Sequence, residues 1–276
     1  MANDNDYIEV SFDTGGDTEM KDILVAWLSG IGFEGFEEDK NLLKAFIPQK
    51  DFNELQLQQI MARRDIAYSI TLIKYKNWNE VWEAGFEPVV IENFCAVRAT
   101  FHQPVNDVAY EIIITPKMSF GTGHHATTYL MLEAMKGLSI KGKSVFDFGT
   151  GTGVLAILAE KMGASKIEAI DIDEWSIENG NENLVQNQSK KILLHKSGEI
   201  ATAGKFDIIL ANINRNIILQ QLEAMKAHLS PGGVIVLSGL LTGDEEMITT
   251  KAENVALKLL SVSERNSWIC LQFVNE

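Results

Sequence analysis

One stretch limits the choice of fold more than any other: SVFDFGTGTGVLAILAEKMGASKIEAID, residues 144–171. It opens with a short apolar run, Val145 to Phe148, suited to a buried strand. It then turns at Gly149-Thr150-Gly151-Thr152-Gly153 into a segment of helical character. Glycines there let the backbone turn sharply and leave no Cβ to hold off a ligand. Asp171 stands 22 residues after Gly149, at the carboxyl end of the next strand, where a carboxylate can accept both hydroxyls of a ribose. The same rhythm continues beyond it. Strands are expected near 144–148, 167–171, 191–194, 206–211 and 233–238, with helices near 153–162, 174–186 and 215–228. That alternation predicts a doubly wound, mostly parallel sheet with helices on both faces. Two strand-like runs, 256–262 and 268–274, close the chain. The link from Glu264 to Ser267 is too short for a parallel crossover, so the last strand is expected to pair antiparallel.

The N-terminal part has another pattern. Residues 7–12 alternate as a strand does, and 18–31 have helical spacing through Met20, Ile23, Leu24, Trp27 and Leu28. Extended stretches at 33–38 and 41–47, a helix at 51–63 and a strand at 67–74 complete the order β-α-β-β-α-β. This is the pattern of a small ferredoxin-like α+β domain, assigned to residues 1–74. Residues 75–88 read as a helical connector. Trp78, Trp82 and Phe86 lie on one stripe of it, as core aromatics do, and Pro88 ends it. Residues 89–276 form the α/β domain, entered through a β-rich segment that reaches 117.

A length of 276 residues suits two domains, and no apolar run approaches the ~20 residues a spanning helix needs. The N-terminus lacks the basic start and apolar stretch of a signal peptide. Cys95 and Cys270 are far apart in apolar surroundings, as buried free thiols of a reducing cytosol are. The expected location is therefore cytoplasmic, and the chain is expected to act as a monomer. The net charge of −14 includes no basic cluster of the kind a phosphate backbone demands, so nucleic acid is not the expected partner. Residues 1–73 hold 14 acidic and 6 basic side chains, a surface able to steer a basic partner.

The loop reads Asp-x-Gly-x-Gly-x-Gly. Asp147 would repel a pyrophosphate but suits a cationic ligand carrying an amino group, which favours S-adenosylmethionine over a dinucleotide. A second cluster is PKMSFGTGHHATTYLMLEAM, residues 116–135. Its glycines lead into a helix whose first turn holds Thr127 and Thr128, where hydroxyls and free amides can bind a carboxylate. His124 and His125 are adjacent and cannot readily face one metal ion. In FDIILANINRN, residues 206–216, a strand ends at Ala211-Asn212, which places Asn212 where a reacting nitrogen would lie. Its carbonyl oxygen can accept amine N–H groups and aim the lone pair at a methyl carbon.

With these residues in view, the chain closely resembles the bacterial ribosomal protein L11 methyltransferase family over nearly its whole length. The run FGTGHHATT, 120–128, looks like that family's own signature, and Phe86-Glu87-Pro88 and the small acidic N-terminal domain are also similar. The resemblance implies a class I S-adenosylmethionine-dependent methyltransferase. Its N-terminal domain would recognise L11, and its acceptors would be lysine ε-amines and the N-terminal α-amine. It places Thr128, Gly149, Gly151, Asp171 and Asn212 at cofactor-binding positions and Asn212 at the reacting nitrogen, with Phe120 in the matching loop as a cover for the cofactor. The family commonly has proline at Ala126, cysteine at Thr150 and leucine at Asn214. The rival readings are a methyltransferase for another basic protein or a small amine, a dinucleotide-dependent oxidoreductase, and a ribosome-associated binding module.

Overall fold

A computed structural model describes residues 6–62, 66–74, 87–117, 123, 125–200 and 204–276. The chain separates into two compact units, Met1–Gly85 and Phe86–Glu276.

In the first unit the elements are β1 (Tyr7–Asp13), α1 (Thr18–Ser29), β2 (Gly35–Glu38), β3 (Leu42–Pro48), α2 (Glu54–Met61) and β4 (Tyr68–Ile73). The strands form one antiparallel sheet in the order β2-β3-β1-β4, the ferredoxin-like arrangement. Strict alternation drives its burial. Ile8, Val10 and Phe12 of β1 and Leu43, Ala45 and Ile47 of β3 face one way and pack with Leu24 and Leu28 of α1 and Leu57 and Met61 of α2. Asp17 caps α1 by accepting the Met20 N–H at 3.1 Å, and Asn53 caps α2 through the N–H groups of Leu55 and Gln56. Of the expected connector, 75–88, only Glu87 and Pro88 fall among the described residues, so Trp78, Trp82 and Phe86 lie outside them.

The second unit begins with β5 (Val89–Ile91), β6 (Cys95–Ala99) and β7 (Tyr110–Ile114), a three-stranded sheet in which β5 runs antiparallel and β7 parallel to β6. There follow α3 (Ala126–Lys136), β8 (Ser144–Phe148), α4 (Val154–Lys161), β9 (Lys166–Asp171), α5 (Glu174–Gln186), β10 (Ile192–Lys196), β11 (Phe206–Asn212), α6 (Arg215–Ala227), β12 (Leu229–Leu241), α7 (Glu245–Asn254), β13 (Leu257–Arg265) and β14 (Trp268–Asn275). The main sheet has the order β10-β9-β8-β11-β12-β14-β13. Its first five strands are parallel, and β14 lies antiparallel between β12 and β13, as the short final link demands. Alternate residues feed two cores. Val145, Ile167, Leu210 and Val236 meet α3 and α4, while Phe146, Ile209, Ile235 and Leu237 meet α6 and α7. Cys95 and Cys270 are free, and burial pushes both thiols up to about 12. No described helix is long and apolar enough to cross a membrane.

Two elements differ from the sequence reading. Helix α7 was not expected, because only Ile248 and Ala252 of its ten residues are buried, too thin a stripe to show as periodicity. The segment Ser230–Gly233 reads as a turn but forms a bulge inside β12: Phe206 pairs with Leu229, yet Ile208 pairs with Val234.

Candidate active site

The strand order reverses between β8 and β11, and the carboxyl ends of these two strands open onto a cavity of about 590 Å³. Its wall is assembled from Thr127 and Thr128 of α3, Gly149 to Gly151 after β8, Asp171 to Asp173 at the end of β9, Ser197 and Gly198 after β10, Asn212 to Asn214 at the end of β11, and Gly239 and Trp268.

Gly149, Gly151 and Gly153 have φ of 72°, 55° and 80°, the left-handed region that alternates through the turn. The N–H groups of Gly149 and Thr150 both donate to the Ile170 carbonyl at 2.9 Å, fastening the loop to the end of β9. Gly151 N–H donates to Asp171 Oδ2 at 2.9 Å, and Asp173 N–H to Asp171 Oδ1 at 3.0 Å. Both carboxylate oxygens are thereby oriented at the cavity wall, and each keeps acceptor capacity for a ribose hydroxyl.

Asp147 is placed differently from its sequence-based role. Its position in β8 shares the parity of Val145, so it lies under the first turn of α4 and is not part of the cavity wall. Its Oδ2 accepts the Thr150 hydroxyl at 2.6 Å and the Ala156 N–H at 3.2 Å, and Oδ1 is buried without a partner among the described residues. Desolvation pushes its pKa up to about 7, against the pull of those two donors. Asp147 thus braces the loop from beneath, and Thr150 serves as its partner.

Asn212 ends β11. Its Nδ2 donates to Thr128 Oγ1 at 3.3 Å, and its Oδ1 is buried with no partner among the described residues. Thr128, like Thr127, is fully buried in the first turn of α3; the Thr127 N–H is capped by His125 Nδ1 at 3.4 Å, and a helix N-terminus of this kind favours an anion. Asn214 also borders the cavity, but its side chain accepts the Ile217 N–H at 3.1 Å and caps α6. Phe120 and His124 lie outside the described residues.

The site contains residues that sequence reasoning missed. His125, weighed only as a metal ligand, is the N-cap of α3: its Nδ1 meets the Thr127 hydroxyl at 2.8 Å and its ring packs edge-on against Trp268 at 4.6 Å. Trp268 comes from the start of β14, and Arg265 beside it stacks on Tyr129 of α3 at 3.7 Å. No local pattern announces these contacts, which join residues 143 and 136 positions apart in the chain. Ile213 is a third. A Cβ on Gly149 would stand 2.3 Å from its side chain, and one on Gly239 would stand 2.1 Å from its carbonyl oxygen. Among the described residues no three His, Cys, Asp or Glu side chains gather as a metal site would require.

The donor set fits an adenosyl sulfonium amino acid. Asp171 offers acceptors to the ribose, the α3 terminus offers donors to a carboxylate, and the glycine turn leaves room between them. The comparisons agree. Residues 29–276 match the model of the family described as "Ribosomal protein L11 methyltransferase (PrmA)". A ribosomal protein L11 methyltransferase of Porphyromonas gingivalis is 41% identical over 91% of this chain and 90% of its own length. One of Phocaeicola vulgatus is 39% identical over 97% of this chain and 99% of its own. Among solved structures, a ribosomal protein L11 methylase from Lactobacillus delbrueckii subsp. bulgaricus is 28% identical and superposes with a TM-score of 0.65 over 69% of this chain and 100% of that one. A methyltransferase from Pyrococcus furiosus, 23% identical, shares the fold with a TM-score of 0.52 over 59% of this chain and 89% of that one. A switch-point cavity built for that cofactor, on a chain matched nearly end to end, has one meaning: this is an S-adenosylmethionine-dependent methyltransferase belonging to the ribosomal protein L11 methyltransferase family.

Proposed function

We propose that the chain transfers methyl groups to lysine ε-amines, and to the N-terminal α-amine, of ribosomal protein L11. The observation that carries this reading is the spare acceptor of Asn212. Its amide nitrogen is held by Thr128, and its buried oxygen lacks a partner among the described residues. An amine N–H satisfies that oxygen. A buried acceptor left unpaired costs about 1–3 kcal/mol, so the preference is substantial.

Bound S-adenosylmethionine supplies an electrophilic methyl group on sulfur. The chain supplies placement. Asp171 takes the ribose hydroxyls, the backbone at Gly149 and Gly151 leaves room beside them, and Thr128 with the α3 amides takes the carboxylate. A free lysine has pKa ~10.4, so only about one in 2,500 is neutral at pH 7. Phe148, Ile213 and Trp268 make part of the wall apolar, and an apolar wall favours the neutral amine. By accepting an amine N–H, Asn212 Oδ1 would orient the nitrogen lone pair toward the methyl group, so that the N–C bond forms as the C–S bond breaks and S-adenosylhomocysteine leaves. Loss of a proton to water completes the step without a dedicated base, and positioning accounts for most of the acceleration.

Residues 1–74 recognise L11, 75–88 connect, and 89–276 carry out the transfer. The acidic balance of the first unit supports that division. The enzyme works as a cytoplasmic monomer on the protein, with no direct contact to nucleic acid. The test is Asn212→Ala with recombinant L11, read by mass spectrometry and calorimetry. Turnover is expected to fall roughly 100-fold, with a much smaller loss of S-adenosylmethionine affinity. Equal losses would reduce Asn212 to a cofactor ligand. Wild-type enzyme that leaves L11 unmodified but methylates a small amine or another basic protein would replace the acceptor.

A further inference from the structure

β7 is the outer strand of its three-stranded sheet, so the edge it turns away from β6 needs partners for its backbone groups. Helix α5 provides them from side chains. Asn179 and Asn183 of the helix and Asn187, its C-cap, stand at i, i+4 and i+8, in line along one side of it. Asn187 Oδ1 accepts the Ile113 N–H at 3.0 Å, and its Nδ2 donates to the Ile113 carbonyl at 2.6 Å. Two residues along the strand, Asn183 Oδ1 accepts the Thr115 N–H at 2.7 Å, and Asn179 Nδ2 donates to the Thr115 carbonyl at 3.1 Å. The carboxamides thus stand in for the peptide groups of a neighbouring strand.

Asn183 makes one bond that the other two do not. Its Nδ2 donates to the Thr152 carbonyl at 2.8 Å, inside the glycine turn, and the side chain is fully buried. One planar group therefore joins the strand that runs into residues 116–125 to the loop that frames the cofactor cavity. Thr152 sits between Gly151, whose N–H orients Asp171, and Gly153, which opens α4. The geometry points to Asn183 as a positioning residue: it sets the path of the glycine turn, and through Gly151 the aim of Asp171, against the strand leading to α3. Asn187 is the internal control. It grips β7 as firmly, but its remaining bond goes to the Asn183 carbonyl, not to the turn.

The inference rests on S-adenosylmethionine as the ligand, and the experiment keeps the two apart. Full-length wild type, Asn183→Ala, Asn187→Ala and Asn183→Asp are compared by calorimetric S-adenosylmethionine binding and by melting temperature. Asn183→Ala is expected to bind about tenfold more weakly. Asn187→Ala is expected to lose a similar melting temperature while its affinity stays within about twofold. Asn183→Asp keeps the acceptor for Thr115 but sets a carboxylate against the Thr152 carbonyl. Its affinity relative to wild type should recover from about pH 8 to pH 6, as the protonated acid becomes a donor again. Should Asn183→Ala fail to fold, that pH ratio decides alone. The inference is overturned if Asn183→Ala binds as wild type does, if both alanine variants lose affinity in proportion to their melting temperatures, or if the Asn183→Asp ratio is flat. A wild type that binds no S-adenosylmethionine would instead sink the cofactor assignment.

Discussion

Asp147 carries a carboxyl group whose folded-state pKa, about 7, lies well above its ordinary value of 3.8. At pH 3 it is protonated in both the folded and unfolded chain and has no effect. As pH rises from about 4 to 7 the unfolded chain releases the proton and the folded chain keeps it, so stability falls across that window and levels off above it. A shift of this size corresponds to roughly 4 kcal/mol. Asp147→Asn removes the titrating group. Denaturant titrations at pH 4.5 and pH 8 should show a smaller loss of stability with rising pH in the variant than in wild type. Equal pH dependence in the two proteins would mean that the carboxyl is ionised in its buried setting. The sequence placed this residue on the ligand, yet strand parity counted from Val145 already assigns it to the face covered by α4. The charge argument looked at the residue alone, and the alternation along β8 decided its direction.

At the scale of elements, the turn after β11 and the strand β12 are fitted to each other at Gly239. This glycine has φ of 85°, and a Cβ there would lie 2.1 Å from the Ile213 carbonyl oxygen, which is main chain and cannot swing aside. Gly239→Ala should therefore displace the turn that carries Asn212. The expected loss is about 2–3 kcal/mol, a fall in melting temperature of roughly 5–10 °C, together with weaker methyl transfer. A variant with unchanged activity would show that the turn moves independently of Asn212. Most of the elements were legible because their apolar patterns are strong. β8, β11 and the core of β12 are short apolar runs, and α5 and α6 follow strands at a steady interval. The positions of the glycine turn, Asp171 and Asn212 were legible for the same reason, since each sits at the end of such a strand. The rest depends on contacts distant in sequence. α7 buries two side chains, the bulge in β12 exists only relative to β11, and Trp268 meets His125 only once the sheet has formed.

Across the whole molecule the charge is uneven, with the first unit more acidic for its size than the second. If the first unit recognises a basic protein, the field helps encounter and weakens with salt over a Debye length of about 10 Å at 0.1 M. The KM for L11 should rise severalfold between about 50 and 300 mM salt, while S-adenosylmethionine affinity, set by short contacts in the second unit, changes little. A KM that ignores salt would remove steering from the account.

The order of the final strands bears on synthesis. β14 is made after β13 but lies inside it, so β13 has no place in the sheet until its younger neighbour arrives, and until then β12 shows a bare edge. Trp268, one wall of the catalytic hollow, arrives on that same strand. A nascent chain halted before it is both sticky and inert, so a truncated product of this gene is expected to be cleared as a misfolded polypeptide and not to act as a partial enzyme.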